Sequence, residues 1–116
     1  MRPITYTSLF PFTMKHEISD RKLIITIGEN ILSTNIDALA KQFREIVDAS
    51  VNDVNQIVLD LDGIDTIDSQ GLNLLIGLFQ ECKRKKWGFK VVNCTENVRW
   101  LFSIFKLTEV FGVDEA

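Results

Sequence analysis

Proline, cysteine and histidine are scarce in this chain of 116 residues, and each scarcity excludes something. Both prolines, Pro3 and Pro11, fall within the first 13 residues, so no later helix or strand is broken from inside by one. Cys82 and Cys94 form no CxxC pair and are accompanied by a single histidine, His16. That argues against a zinc site or a disulfide framework and for the reduced thiols of a cytoplasmic protein. A basic excess is missing too. Thirteen Lys and Arg against 16 Asp and Glu leave a net charge of −3, the wrong sign for general binding to nucleic acid or an anionic membrane. No apolar run approaches the roughly 20 residues of a membrane span.

What remains is globular composition, with 46% hydrophobic and 25% charged residues. A chain of this length makes one domain and buries roughly two-thirds of the surface its unfolded form exposes. Residues 1–13 stand apart from the rest. They hold both prolines, show no period, and have Thr5, Thr7 and Ser8 where a signal peptide would need an unbroken apolar stretch. They read as a mobile tail or an over-extended start. The alternative is an apolar arm (Tyr6, Leu9, Phe10, Phe12) that packs on the domain or on a second copy of the chain, which makes a homodimer one of the candidate assemblies.

From Met14 the chain alternates between two periods. Lys15 to Ile18 and Lys22 to Ile27 are β-rich runs joined by the short connection Ser19-Asp20-Arg21. Ile36, Leu39, Ala40, Phe43, Ile46 and Val47 then fall on one face of a helix, with Ser33 or Thr34 available as its cap and Asp37 three residues after Thr34. Gln56 to Leu61 reads as a strand buried on both faces. A second helix runs from about Ser69 to Lys86 with the stripe Leu72, Leu75, Ile76, Phe79 and Cys82, and four cations suit its last turn. Phe89 to Val92 is the next strand. Glu96 to Phe105 and Thr108 to Phe111 make a final helical stretch, with a break near Lys106 as the alternative to one continuous helix. The order ββ-α-β-α-β-α predicts an α/β fold, with a mixed sheet of about four to five strands flanked by three to four helices.

One segment is not explained by a core. Asp60-Leu61-Asp62-Gly63-Ile64-Asp65-Thr66-Ile67-Asp68-Ser69-Gln70-Gly71-Leu72 crowds four aspartates between the end of a strand and the start of a helix. Sites in open α/β sheets lie outside the carboxyl ends of strands, so the place suits a site. Ser69 has two readings. It is an ordinary N-cap, or it is a hydroxyl at a helix start, where free N–H groups and the dipole stabilise an added phosphate. A phosphate beside Asp65 and Asp68 would repel an acidic or apolar partner, as a switch requires. Leu74 and Leu78 lie off the main stripe. They either pack under Trp100, Leu101 and Phe105 of the final helix or form an apolar partner strip beside Ser69.

The stretch Ile57-Val58-Leu59-Asp60-Leu61 followed by Ile67-Asp68-Ser69-Gln70-Gly71-Leu72 resembles the signature of the STAS domain, and specifically the bacterial anti-sigma-factor antagonists. The resemblance extends over residues 14–113. It includes Gly28-Glu29 at the end of the second strand and Val98-Arg99-Trp100-Leu101 with Leu107-Thr108-Glu109-Val110-Phe111 near the close. Three positions depart from the pattern. Ile31, preceded by Asn30, stands where an Asp is common, Gln70 where a small Ser or Thr is usual, and Phe105-Lys106 where Thr-Gly precedes the last Leu. With that last change the final helix is expected to run on without its usual break.

The resemblance implies a STAS domain over residues 14–116 and a non-enzymatic regulator, with Ser69 phosphorylated by an anti-sigma-factor serine kinase and dephosphorylated by a phosphatase. Asp65, Asp68, Gln70, Gly71, Leu74 and Leu78 are the expected partner-binding residues. The other reading is a STAS scaffold in a lipid-transport or signalling assembly that is never phosphorylated. No cofactor, metal or catalytic residue is expected. The first two strands end without the acidic pair of a Mg²⁺-binding receiver and Asp62 and Asp65 lie in one loop, His16 reads as a surface residue, neither cysteine has a local activator, and Trp87 and Trp100 read as core or rim anchors.

Overall fold

The structure is a computed structural model that describes residues 14–113; the expected tail or arm of residues 1–13 lies outside the described residues. Four strands form one sheet in the order β1 (Lys15–Ser19), β2 (Lys22–Thr26), β3 (Gln56–Asp60), β4 (Gly88–Val92). β1 pairs antiparallel with β2, and β2–β3 and β3–β4 are parallel. The parallel pairs are joined through the helices α1 (Ile36–Ser50) and α2 (Ser69–Lys85), and α3 (Glu96–Ile104) follows β4. The count falls within the expected mixed sheet and its helices.

The β1–β2 hairpin shows why the pairing register is set. Ser19 pairs with Lys22, so the loop is Asp20-Arg21 alone, and both residues have positive φ, 54° and 63°. That is the type I′ geometry whose twist matches the flanking strands. Asp tolerates it; Arg adopts it because the sheet on either side holds it.

Alternation then decides which side of the sheet is the core. Leu23, Ile25, Ile57, Leu59 and Val91 are buried and fall in neighbouring registers. Against them pack Leu39, Phe43 and Val47 of α1, Leu72, Leu75, Leu78 and Cys82 of α2, and Val98 and Phe102 of α3. Ile24 and Val58, one residue out of phase, are only half-buried. β3 is therefore not buried on both faces as its apolar run suggested. Its pattern alternates, because the helices pack on the Ile57 and Leu59 side.

An aromatic cluster closes the far edge. Phe79, Phe89 and Phe111 stand 5.5–5.8 Å apart, and Phe102 meets Phe111 edge-on at 5.2 Å. Phe79 is half-buried, so Leu78 and not Phe79 joins the fully packed row of α2. The packed face keeps Leu72, Leu75 and Cys82 of the expected stripe and takes in Gly71 and Leu78, leaving Ile76 and Phe79 half-buried at its margin.

Helix ends differ from expectation in instructive ways. Neither Ser33 nor Thr34 caps α1; the N-cap position is Asn35, whose side chain makes no cap bond. Its Oδ1 instead accepts from Leu32 N–H at 2.9 Å, while its Nδ2 donates to the Glu29 carboxylate and the Asn30 carbonyl. Loop satisfaction outweighed the cap. The final helix does not run on. α3 stops at Ile104, Lys106 turns left-handed (φ 57°), and Leu107 N–H reaches Phe102 O at 2.8 Å while Lys106 N–H reaches Ser103 O at 3.0 Å. This is a Schellman ending with lysine in the position that favours glycine. Residues 107–113 form turns, and Val113 bridges Val91.

Three substitutions test this packing by urea denaturation. Phe43→Ala removes a side chain that is 3% exposed and costs about 3–5 kcal/mol. Gly77 sits in the middle of α2 with open space around its Cβ position, so Gly77→Ala stabilises by about 1 kcal/mol. Lys106→Gly relieves the left-handed lysine and raises stability by roughly 0.5–1 kcal/mol. A destabilised Gly77→Ala would mean that the outer face of α2 is covered.

Candidate functional site

The parallel strands β2 and β3 end side by side, and the loops that follow them are laced together. Ile31 and Ile67 form an isolated parallel bridge, with Ile31 N–H on Thr66 O at 3.2 Å and Asp68 N–H on Ile31 O at 3.2 Å. Asn30 adds a side-chain clamp. Its Oδ1 accepts from the N–H groups of Asp65 (3.0 Å) and Thr66 (3.1 Å). Because Ile31 is buried with no exposed surface, the departure from the family pattern leaves the polar work to its neighbour Asn30. Asn30 and Asn35 are site-building residues that sequence reasoning missed. The signal available was two Asn residues in a short loop between a strand and a helix, residue types that commonly bond to nearby backbone.

The four aspartates divide their labour. Asp60 Oδ1 accepts from Asp62 N–H (3.0 Å) and from Asn93 Nδ2 (3.1 Å), tying β3 to the turn after β4. Asp62 and Asp65 are exposed. Asp68 is the N-cap of α2: Oδ1 accepts from Gly71 N–H at 2.9 Å and Oδ2 from Ser33 N–H at 2.7 Å. These donors favour the charged carboxylate and hold its pKa below the ordinary Asp value, Gly71 contributing most and Ser33 next. Among the described residues, no group of three His, Cys, Asp or Glu side chains converges as a metal site would require.

Ser69 is therefore not the cap. It is the first residue of α2, it is exposed, and capping by Asp68 leaves its hydroxyl free of that duty. Gly71 explains the glycine of the motif. A Cβ there would collide with the Ile31 carbonyl oxygen and lie 2.9 Å from Ile31 Cγ2. Only glycine lets the first turn of the helix sit against the preceding loop.

The expected partner residues do not form one surface. Asp65, Ser69 and Gln70 are exposed, and Asp68 and Leu74 are half-buried. Gly71 is buried against Ile31, and Leu78 is a core residue at 8% exposure. The apolar strip beside Ser69 is thus reduced to Leu74. The cover expected between that strip and α3 is also partial, since Trp100 is 67% exposed and Phe105 55%.

Burial pushes the Cys82 thiol up to about 12 and the Cys94 thiol to about 11, so both stay protonated near neutral pH. His16, half-buried on β1, is shifted below its usual value by that burial.

Three variants test the loop clamp. A carboxylate with a depressed folded pKa contributes stability above the ordinary Asp range and loses it as pH falls through the folded value. Asp68→Asn should therefore flatten the acid side of the melting-temperature profile, while Asp68→Ala lowers the melting temperature at pH 7 by ~5 °C. Gly71→Ala should cost about 1–3 kcal/mol through forced displacement of the Ile31 loop. A wild-type melt for Gly71→Ala would show that the contact is not tight.

Comparison with known proteins now adds to this geometry. The chain superposes on an anti-sigma factor antagonist from Mycobacterium paratuberculosis with a TM-score of 0.77 and 20% identity, covering 96% of this chain and 92% of that one. It also superposes on the anti-sigma factor antagonist SpoIIAA in its unphosphorylated form (TM-score 0.69, 19% identity, 90% and 88% covered) and on the Bacillus SpoIIAA in its phosphorylated form (0.66, 16%, 90% and 90%). A more distant likeness is to the anion transporter SLC26A9, at 0.62 and 18%, where the match covers 81% of this chain but 17% of that chain. Among the described residues no helix is long and apolar enough to cross a membrane. At these identities the solved structures establish the fold, a mixed sheet with its helices. The family model for the STAS domain matches residues 13–116, nearly the whole sequence, and the chain belongs to the STAS domain family.

Proposed function

We propose that this chain is a cytoplasmic, non-enzymatic anti-sigma-factor antagonist. Its unphosphorylated form binds an anti-sigma serine kinase and so frees the sigma factor. Phosphorylation of Ser69 switches binding off, and a phosphatase restores it. The observation that carries the reading is the division of labour at the start of α2: Asp68 caps the helix and Ser69 stands exposed beside it. With Asp68 as the cap, modification of Ser69 does not have to replace a capping bond. Here the modification leaves the fold's hydrogen bonds alone, as a reversible switch needs.

Chemistry at the site supports both states. A phosphate on Ser69 would meet the positive end of the α2 dipole, which stabilises it locally. It would also add about −1.5 to −2 charge beside Asp65 and Asp68, where a closely packed partner has nothing to neutralise it. Asp65, Gln70 and Leu74 offer the partner a small mixed surface around the serine. The nucleotide and the transfer chemistry would belong to the kinase.

Titration of each variant against the kinase, with mass spectrometry of the wild type after incubation with ATP, is the test. Since the cap is elsewhere, Ser69→Ala changes stability by no more than about 0.5 kcal/mol and binds constitutively. Ser69→Glu folds, because a carboxylate suits a helix start, but binds at least ~10-fold more weakly, roughly 1.4 kcal/mol. Equal affinity for all three proteins, with no phosphate on Ser69, would replace this reading with the unphosphorylated scaffold.

A further inference from the structure

The other end of α2 carries a feature that the serine switch does not use. Phe79, Lys83, Lys86, Trp87, Phe89 and Val110 line an open groove of about 570 Å³. Three aromatic rings and the 45%-exposed Val110 supply the apolar half of its surface, and Lys83 and Lys86 stand in its lining. Lys83 lies 5.9 Å from the centre of the Phe79 ring, and the neighbouring Lys85 lies 5.5 Å from that of Trp87. Glu81 is the local carboxylate, and it is shared by Arg84 and Lys85. Lys83 and Lys86 have no carboxylate partner among the described residues.

Cations at a helix C-terminus complement its dipole, and one or two would serve. Four in succession, two of them facing an aromatic groove, exceed that need. The backbone around the groove narrows the choice of ligand. Lys86 N–H is bound to Lys83 O, Trp87 N–H to Cys82 O and Gly88 N–H to Asn55 O. No fan of free N–H donors is left there to cradle a compact phosphate. Recognition has to come from side-chain ammonium groups and ring faces, which suits carboxylates spaced along a chain with an apolar side chain between them.

We propose that this groove docks an acidic polypeptide segment of another protein, presenting an aromatic or aliphatic residue to Phe79, Trp87 and Phe89 and carboxylates to Lys83 and Lys86. Charge complementarity selects this occupant. Residues 1–13 are apolar but contain no Asp or Glu. The acidic loop of a second copy is also a poor fit. Its exposed residues are Asp62, Gly63, Asp65 and Thr66, while Leu61, Ile64 and Ile67 are buried. At about 1.5 Å per helical residue Phe79 lies roughly 15 Å, Lys83 roughly 21 Å and Lys86 roughly 25 Å along α2 from Ser69, so the lysines are far enough from the serine for both ends to be occupied together.

The full chain carrying Trp100→Phe keeps Trp87 as its single tryptophan and reports on the groove directly. The probe is the acetylated peptide Glu-Glu-Asp-Phe-Glu-Glu-Leu-Asp. Saturable change in Trp87 fluorescence is expected, weakened about tenfold or more by Lys83→Glu with Lys86→Glu and suppressed by high salt. Val110→Asp, whose new charge repels the probe, should weaken it comparably. Melting temperatures of the variants should stay near wild type, and titration against the kinase at the Ser69 end should be unchanged, which separates failure here from failure of the serine switch. Four results would overturn the proposal: no saturable response, equal binding by a peptide with Ser in place of Phe and Leu, indifference to the charge reversal, or binding to phosphatidylserine vesicles but not to the peptide. Self-association abolished by the charge reversal would also overturn it, in favour of a second copy.

Discussion

The carboxylate of Asp68 holds two backbone N–H groups that are far apart in the chain, Gly71 at the start of α2 and Ser33 in the loop before α1. Much of the upper end of the domain depends on that pair of bonds. Gly71 permits it sterically, because the helix start must press against the Ile31 carbonyl for one carboxylate to reach both donors. The Ile31–Ile67 bridge and the Asn30 clamp keep the two loops in register around it. The consequence for function is a serine set on a rigid frame and free of structural duty. On the proposed reading, Ser69 placed this way changes its charge without changing the fold.

Helix α2 also organises charge. Its N-terminal end faces the aspartate loop with an exposed hydroxyl, and its C-terminal end carries Lys83, Arg84, Lys85 and Lys86 beside an aromatic groove. A net charge of −3 conceals this separation, since the average over the chain says nothing of the two ends. Because exposed charges are screened over roughly 10 Å, ends about 25 Å apart act as independent surfaces. On the proposed reading, one end answers a kinase while the other answers a different protein.

The helix endings show how tertiary contacts can override local preference. Lys86 and Lys106 occupy left-handed positions that glycine would occupy with less strain. What holds Lys106 there is the burial of Phe102 and Phe111 on either side of the turn, with no exposed surface on either ring. What holds Lys86 is the return of the chain into β4 through Trp87. The chain reverses where packing demands it, and lysine tolerates the backbone that results.

Periodicity and punctuation in the sequence by themselves determined the order of elements, the mixed sheet, the single domain and the helix start at Asp68-Ser69, because the spacings of 2 and 3.6 residues and the Asp-Ser-x-Gly turn are local properties. Tertiary structure decided what depends on which neighbours arrive. It chose Asp68 over Ser69 as the cap, because the second oxygen of Asp68 could also satisfy Ser33. It brought Leu78 into the core beside Leu72, Leu75 and Cys82 and left Phe79 half-buried, because packing against the sheet and α1 sets which edge of the stripe is covered. It turned Asn35 away from its helix to serve Leu32, Glu29 and Asn30. The groove beside Lys83 and Lys86 is of the same kind. Its walls come from α2, β4 and the turn before Val113, and no local pattern records that they meet.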